Sequence, residues 1–267
     1  MPAPIVFCGP SLTTADRMVL SGIDYRPPAA QGDVLRAIGE KPPAIGIIDG
    51  YFGDRLAIHQ KEILEAMASG IPVIGAASMG ALRAAELVRF GMHGIGTIFE
   101  SYRSGEIDCD ADVAVAHGPA ELGFIATSVS MVDVRATAAA LGRRRVLSSE
   151  KQELVVQAAA AMFFVERTWR GVAQGVYPKG VAFHRLYALL RQSHVQQKRI
   201  DALELVRRLK YGDPLERPTT KVPPLTMNYW QIRGRALNCN DTMPAAVFTA
   251  RKAGAEAGPS FGENPAI

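Results

Sequence analysis

Short apolar runs separated by amphipathic segments make up the first third of the chain. Pro4–Cys8 (PIVFC), Pro43–Asp49 (PAIGIID) and Ile71–Gly75 (IPVIG) are apolar at consecutive positions rather than alternate ones. Runs this short, closed by Gly-Pro or Asp-Gly, read as strands buried on both faces. Between and after them, Val34–Glu40, Leu56–Ser69 and Met79–Phe90 read as helices, with Asp33 placed to cap the first and Gly70 to close the second. The order β-α-β-α-β-α predicts an α/β fold, a mostly parallel sheet flanked by helices.

After Gly96 the pattern loosens. Asp108–Asp112 (DCDAD) reads as an acidic turn and Val113–Ala116 as a short further strand. From Val132 onward the chain reads as helical, over Val132–Leu141, Ser149–Arg170 and Lys198–Leu209, with Ser149 and Gln152 spaced for a capping box. Beyond Tyr211 the residues turn to Pro, Thr, Asn and Gly, including Pro214, Pro218, Pro223 and Pro224. The expected organisation is an α/β core over 1–145, a helical region over 146–211 and an irregular Pro-rich extension over 212–267.

Composition narrows the class. Of 267 residues 48% are hydrophobic and 21% charged, which excludes wholesale disorder. No apolar run approaches the ~20 residues of a membrane span. The N-terminus lacks a basic stretch followed by an apolar one, so the chain reads as soluble and cytoplasmic, without a membrane partner. Cys8, Cys109 and Cys239 are too far apart in sequence for a disulfide framework or a CxxC metal site. The net charge is +4. The basic clusters Arg143–Arg145 and Arg207, Arg208 and Lys210 carry no interleaved aromatics, which argues against nucleic acid. Solvated helix faces and an acidic protein partner both fit them.

The richest segment is Ile71–Glu86 (IPVIGAASMGALRAAE). A buried strand runs through small residues into Ser78-Met79-Gly80 and then a helix. A serine on such a turn projects its hydroxyl above the carboxyl edge of the sheet, and the Met79 and Gly80 amides, at the positive helix end, face a developing oxyanion. Ala76 stands where the usual nucleophile motif has glycine. Ser78 fits an N-cap equally well. A phosphate site at the same place would want GxxxxGK[ST] or GxGxxG, and neither is present.

A serine nucleophile needs a base. His59, His93 and His117 fall in the α/β part, and Lys61 is a further candidate at the edge of the apolar face of Leu56–Ser69. Burial at a cleft mouth, together with a cation such as Arg83, lowers a lysine pKa from ~10.4 toward neutrality. A surface lysine with its stem laid on the helix is the plainer reading. Asp49, at the end of the second strand, either orients Lys61 or starts the Asp49-Gly50 turn. Arg83 either attracts an anionic substrate or pairs with Glu86 three residues on.

Several segments resemble the TfuA family: Gly9–Leu12, Gly32-Asp33, Ile47–Phe52, Lys61–Leu64, Gly75–Leu87 (GAASMGALRAAEL), Gly91–Gly96, Asp110–Gly118 and Val132–Arg135. They cover about the first half of the chain. The resemblance implies a companion of a YcaO enzyme in thioamidation of a peptide backbone. It implies hydrolysis of the C-terminal thiocarboxylate of a ThiS-like sulfur carrier, releasing sulfide, and help in engaging the precursor peptide. It further implies a Ser-Lys pair, carried onto Ser78 and Lys61, and no cofactor. A non-catalytic adaptor for YcaO and its peptide is the alternative.

Overall fold

The structure, a computed structural model, describes residues 2–53, 55–212 and 214–218. Five short strands form one sheet: β1 (Ile5–Phe7), β2 (Asp24–Arg26), β3 (Ile45–Ile47), β4 (Val73–Gly75) and β5 (His93–Gly94). Their order is β2-β1-β3-β4-β5, and every pairing is parallel. The α/β fold expected from the alternating pattern is the one observed.

Both sheet faces are covered, which is why the strands read as continuous apolar runs. Ile5, Phe7, Ile45, Ile47 and Val73 belong to one core, which takes in α2 (Asp33–Gly39), α3 (Gln60–Ala68), α4 (Met79–Leu87) and α5 (Thr97–Ser104). Val6, Cys8, Ile48 and Ile74 belong to a second core, with Leu20 at the end of α1 (Thr14–Val19) and with Ala202, Leu205 and Val206 of α10 (Gln197–Tyr211). A third core joins α6 (Met131–Arg143), α7 (Ser149–Ala160), α8 (Trp169–Val176) and α9 (Val181–Gln192). The helical region expected over 146–211 therefore divides. Helices α7 to α9 pack with α6, whereas α10 returns to the sheet and lays Leu205 and Leu209 over Gly46. Asp16, beside the α1 cap, and Arg199 of α10 close this contact with two hydrogen bonds of 2.6 and 2.9 Å.

Some boundaries differ from the sequence pattern for local reasons. The helix expected from Leu56 starts at Gln60, because His59 and Glu62 form a capping box in which His59 Nδ1 accepts from the Lys61 N–H at 3.1 Å. The helix expected over Ser149–Arg170 breaks after Ala160. Buried Arg167 stabilises that break by donating to the carbonyls of Ala159, Met162 and Val129. Ser148 rather than Ser149 caps α7. Val113–Ala116 is not a strand but a turn and loop after a 3₁₀ turn at Asp110–Asp112. No described helix is long and apolar enough to cross a membrane. Cys239 and the extension past 218 lie outside the described residues.

Candidate active site

In an open parallel sheet the crevice forms at the carboxyl edge where the strand order reverses. Here that reversal falls between β1 and β3, and the loops leaving both strands meet over it. Asp49, which follows β3 and is 2% exposed, ties them together. Its Oδ2 accepts from the Gly9 N–H at 2.8 Å and the Ser11 N–H at 3.1 Å, and its Oδ1 accepts from Ser11 Oγ at 2.6 Å. Asp49 thus fixes the loop after β1, a task neither sequence reading had assigned it.

The adjoining strand β4 delivers Ser78. The turn is tight: the Ser78 N–H donates to the Ala76 carbonyl at 2.8 Å, and Ala77 adopts φ +67°. A non-glycine residue held there stores strain of about 1–3 kcal/mol, the kind that gathers at functional sites. The turn survives because its surroundings are tightly built. A Cβ on Gly75 would run into the Gly80 carbonyl, and one on Gly80 into the Ile47 carbonyl, so α4 can approach β3 and β4 only with glycine at both places. Ser78 occupies the N-cap position of α4, yet its side chain makes no capping hydrogen bond. Its Oγ points instead to the Val113 carbonyl at 3.5 Å, a long contact that constrains the hydroxyl weakly. Of the amides expected to face an oxyanion, Gly80 N–H is committed to the Ile48 carbonyl at 3.2 Å. Met79 N–H has no partner among the described residues.

The amine beside the serine comes from α10. Lys198 is 4% exposed; its Nζ donates to the same Val113 carbonyl at 2.7 Å and lies 3.9 Å from Asp49 Oδ1. Burial pulls its pKa below the ordinary lysine range, with the charges of Asp49 and then Asp133 opposing. Ser78, Asp49, Lys198 and His117 together line a cavity of about 30 Å³. His117 Nδ1 is 2.8 Å from the Gly118 carbonyl, so a proton held on Nδ1 leaves Nε2 as an acceptor.

Lys61 and Arg83 are placed elsewhere. Lys61 is in the first turn of α3, half-buried, and does not line this cavity. The apolar face expected over Leu56–Ser69 is shorter than its pattern predicts, because the helix starts at Gln60 and Leu56 to Ile58 precede it. Arg83 pairs with Glu86 at 2.8 Å and donates to the Ile58 carbonyl at 3.3 Å. Sequence reasoning missed Lys198, although a signal was present. Lys198, Asp201, Ala202, Leu205 and Val206 fall at i, i+3, i+4, i+7 and i+8, the stripe a helix buries. Two charged residues on such a stripe demand buried partners. Asp201 has its own, accepting from the Ile98 N–H at 2.8 Å and so capping α5 from outside.

Among the described residues no group of three or more His, Cys, Asp or Glu could hold a metal ion. Residues 49–168 match the family described as TfuA-like protein. No curated protein matches the chain.

Proposed function

Since the chain is TfuA-like over residues 49–168, we propose that it serves a YcaO thioamidation system by hydrolysing the C-terminal thiocarboxylate of a ThiS-like sulfur carrier, with Ser78 as nucleophile and Lys198 as base. The observation that carries this reading is the convergence of the Ser78 hydroxyl and the Lys198 amine on the Val113 carbonyl inside one cavity. The Ser-Lys pair implied by the family resemblance is thereby assigned to Ser78 and Lys198 rather than to Ser78 and Lys61.

Ser78 Oγ attacks the carbonyl carbon of the thioacid, and its proton passes to neutral Lys198 Nζ. The tetrahedral oxyanion forms near the Met79 N–H at the positive end of α4. Collapse breaks the C–S bond as Lys198 passes the proton it took from Ser78 to the departing sulfur, which leaves as hydrosulfide and restores the neutral amine. Water then attacks the acyl-serine; Lys198 takes the proton from the water and returns one to Ser78 Oγ as that bond breaks. The products are the carrier carboxylate and hydrosulfide for the YcaO partner.

The test mixes the protein with a thiocarboxylated carrier and measures sulfide. Ser78→Ala is expected to lose release by at least a hundredfold while still binding the carrier. Undiminished release by Ser78→Ala overturns the reading. Binding of YcaO and precursor peptide at full affinity, with no sulfide released by the unaltered protein, selects the adaptor function instead.

A further inference from the structure

Open space continues beyond the cavity at Ser78. A second cavity, of about 450 Å³, lies between the loop after β1 and residues of the helical half. Pro10, Val115 and Lys198 line both cavities. Lys198 therefore stands where a wide chamber gives way to a narrow one. The narrow one has room for roughly one or two water-sized groups. A chain reaching Ser78 through the wide chamber must end there, so the geometry takes a terminus and not an internal segment.

The wide chamber is one-sided in charge. Arg170, Arg191 and Arg199 line it against one carboxylate, Asp133. Asp133 is engaged by the Lys198 N–H at 3.1 Å, and Arg199 is held by Asp16. Arg170 of α8 and Arg191 of α9 are exposed and form no ion pair among the described residues. Trp169, 8% exposed, lines the same space, and its Nε1 is buried without a hydrogen-bond partner.

Resting on the hydrolase reading above, we propose that the wide chamber binds the extended C-terminal tail of the carrier, with Arg170 and Arg191 selecting for acidic side chains in it. Helices α8 and α9 are then the substrate-recognition part of the molecule. Trp169 lies along the tail's path, and Lys198 meets its reactive end.

The experiment compares three thioacids: thioacetate, a synthetic hexapeptide with two glutamates and a C-terminal glycine thiocarboxylate, and its counterpart with two lysines. Wild type is expected to favour the glutamate peptide over the lysine peptide, increasingly so at low salt. In Arg170→Glu/Arg191→Glu the ratio of kcat/KM for the glutamate peptide to that for thioacetate falls at least tenfold, and the lysine peptide becomes the better substrate. Ratios within twofold of wild type overturn the proposal. A second measurement is independent of the chemistry. In a Trp230→Phe background, the glutamate peptide ending in an ordinary carboxylate should change Trp169 fluorescence, and the double charge reversal should abolish the change. If no thioacid is cleaved but this change appears and depends on the arginines, the chamber stands and the hydrolase reading falls. If the change is absent, the chamber proposal falls.

Discussion

Ser78 Oγ and Lys198 Nζ share one acceptor, the carbonyl oxygen of Val113, although they lie 120 residues apart in the chain (198 − 78). The three groups come from a strand-to-helix turn, a loop and the last described helix. None neighbours another in sequence, so their meeting is a product of the fold. At 2.7 Å the lysine holds the carbonyl firmly and at 3.5 Å the serine holds it loosely. Reorienting the hydroxyl toward the amine therefore gives up little.

On the proposed hydrolase reading, Lys198 sets the pH dependence of sulfide release. Its folded pKa lies below the ordinary value of 10.5 because burial disfavours the cation. The unfolded chain binds the proton more readily, so this group makes stability rise with pH from the folded value up to about 10.5. On that reading the neutral amine is the base, so release in wild type should increase with pH to a midpoint below 10.5. Lys198→Met should lower kcat by about 10²–10⁴ and remove that midpoint. Stopped-flow sulfide detection from pH 6 to 10, with thermal melts to establish folding, makes the comparison. A profile that survives in Lys198→Met and disappears in His117→Asn would move the base to His117.

The close approach of α4 to β3 predicts a stability effect. Gly80→Ala places a methyl group against the Ile47 carbonyl, where backbone on both sides leaves no side chain to give way. The expected loss is about 1–3 kcal/mol, read from urea unfolding of the two proteins. Sulfide release should fall in the folded fraction as well, since the same shift carries Met79 N–H away from Ser78.

The Asp16–Arg199 pair predicts acid sensitivity in the packing of α10. Hydrogen bonding from Arg199 holds the Asp16 pKa down, from 3.8 to about 2. A depressed carboxylate stabilises the fold above its unfolded value and loses that contribution as pH falls through the folded one. Chemical denaturation should show this contribution intact above pH 3.8 and fading toward pH 2. In Arg199→Gln the pH dependence across that window should be shallower, and the two proteins should converge at its acid end.

The alternation of buried strands with helices was legible because each element declares itself locally. Ile5–Phe7, Ile45–Ile47 and Val73–Gly75 all lie inside runs the apolar pattern marks. Asp24–Arg26 and His93–Gly94 escaped, because edge strands are half-exposed and carry polar residues. Ser78 was legible because a strand, small residues and a helix start stand side by side in sequence. Lys198 was not, because its meaning depends on which face of α10 the sheet covers. A sequence window shows a charged residue there among other charged residues. Lys61, the base the resemblance implies, lies on a helix that begins four residues later than its sequence pattern predicts.

The return of α10 to the sheet has a consequence for anyone handling fragments of this protein. A piece cut at residue 168 keeps the hydroxyl and discards the amine. During synthesis, too, the growing polypeptide carries half of the proposed pair until α10 clears the ribosome and docks. The chemistry proposed at Ser78 would in that way be withheld until translation has passed α10.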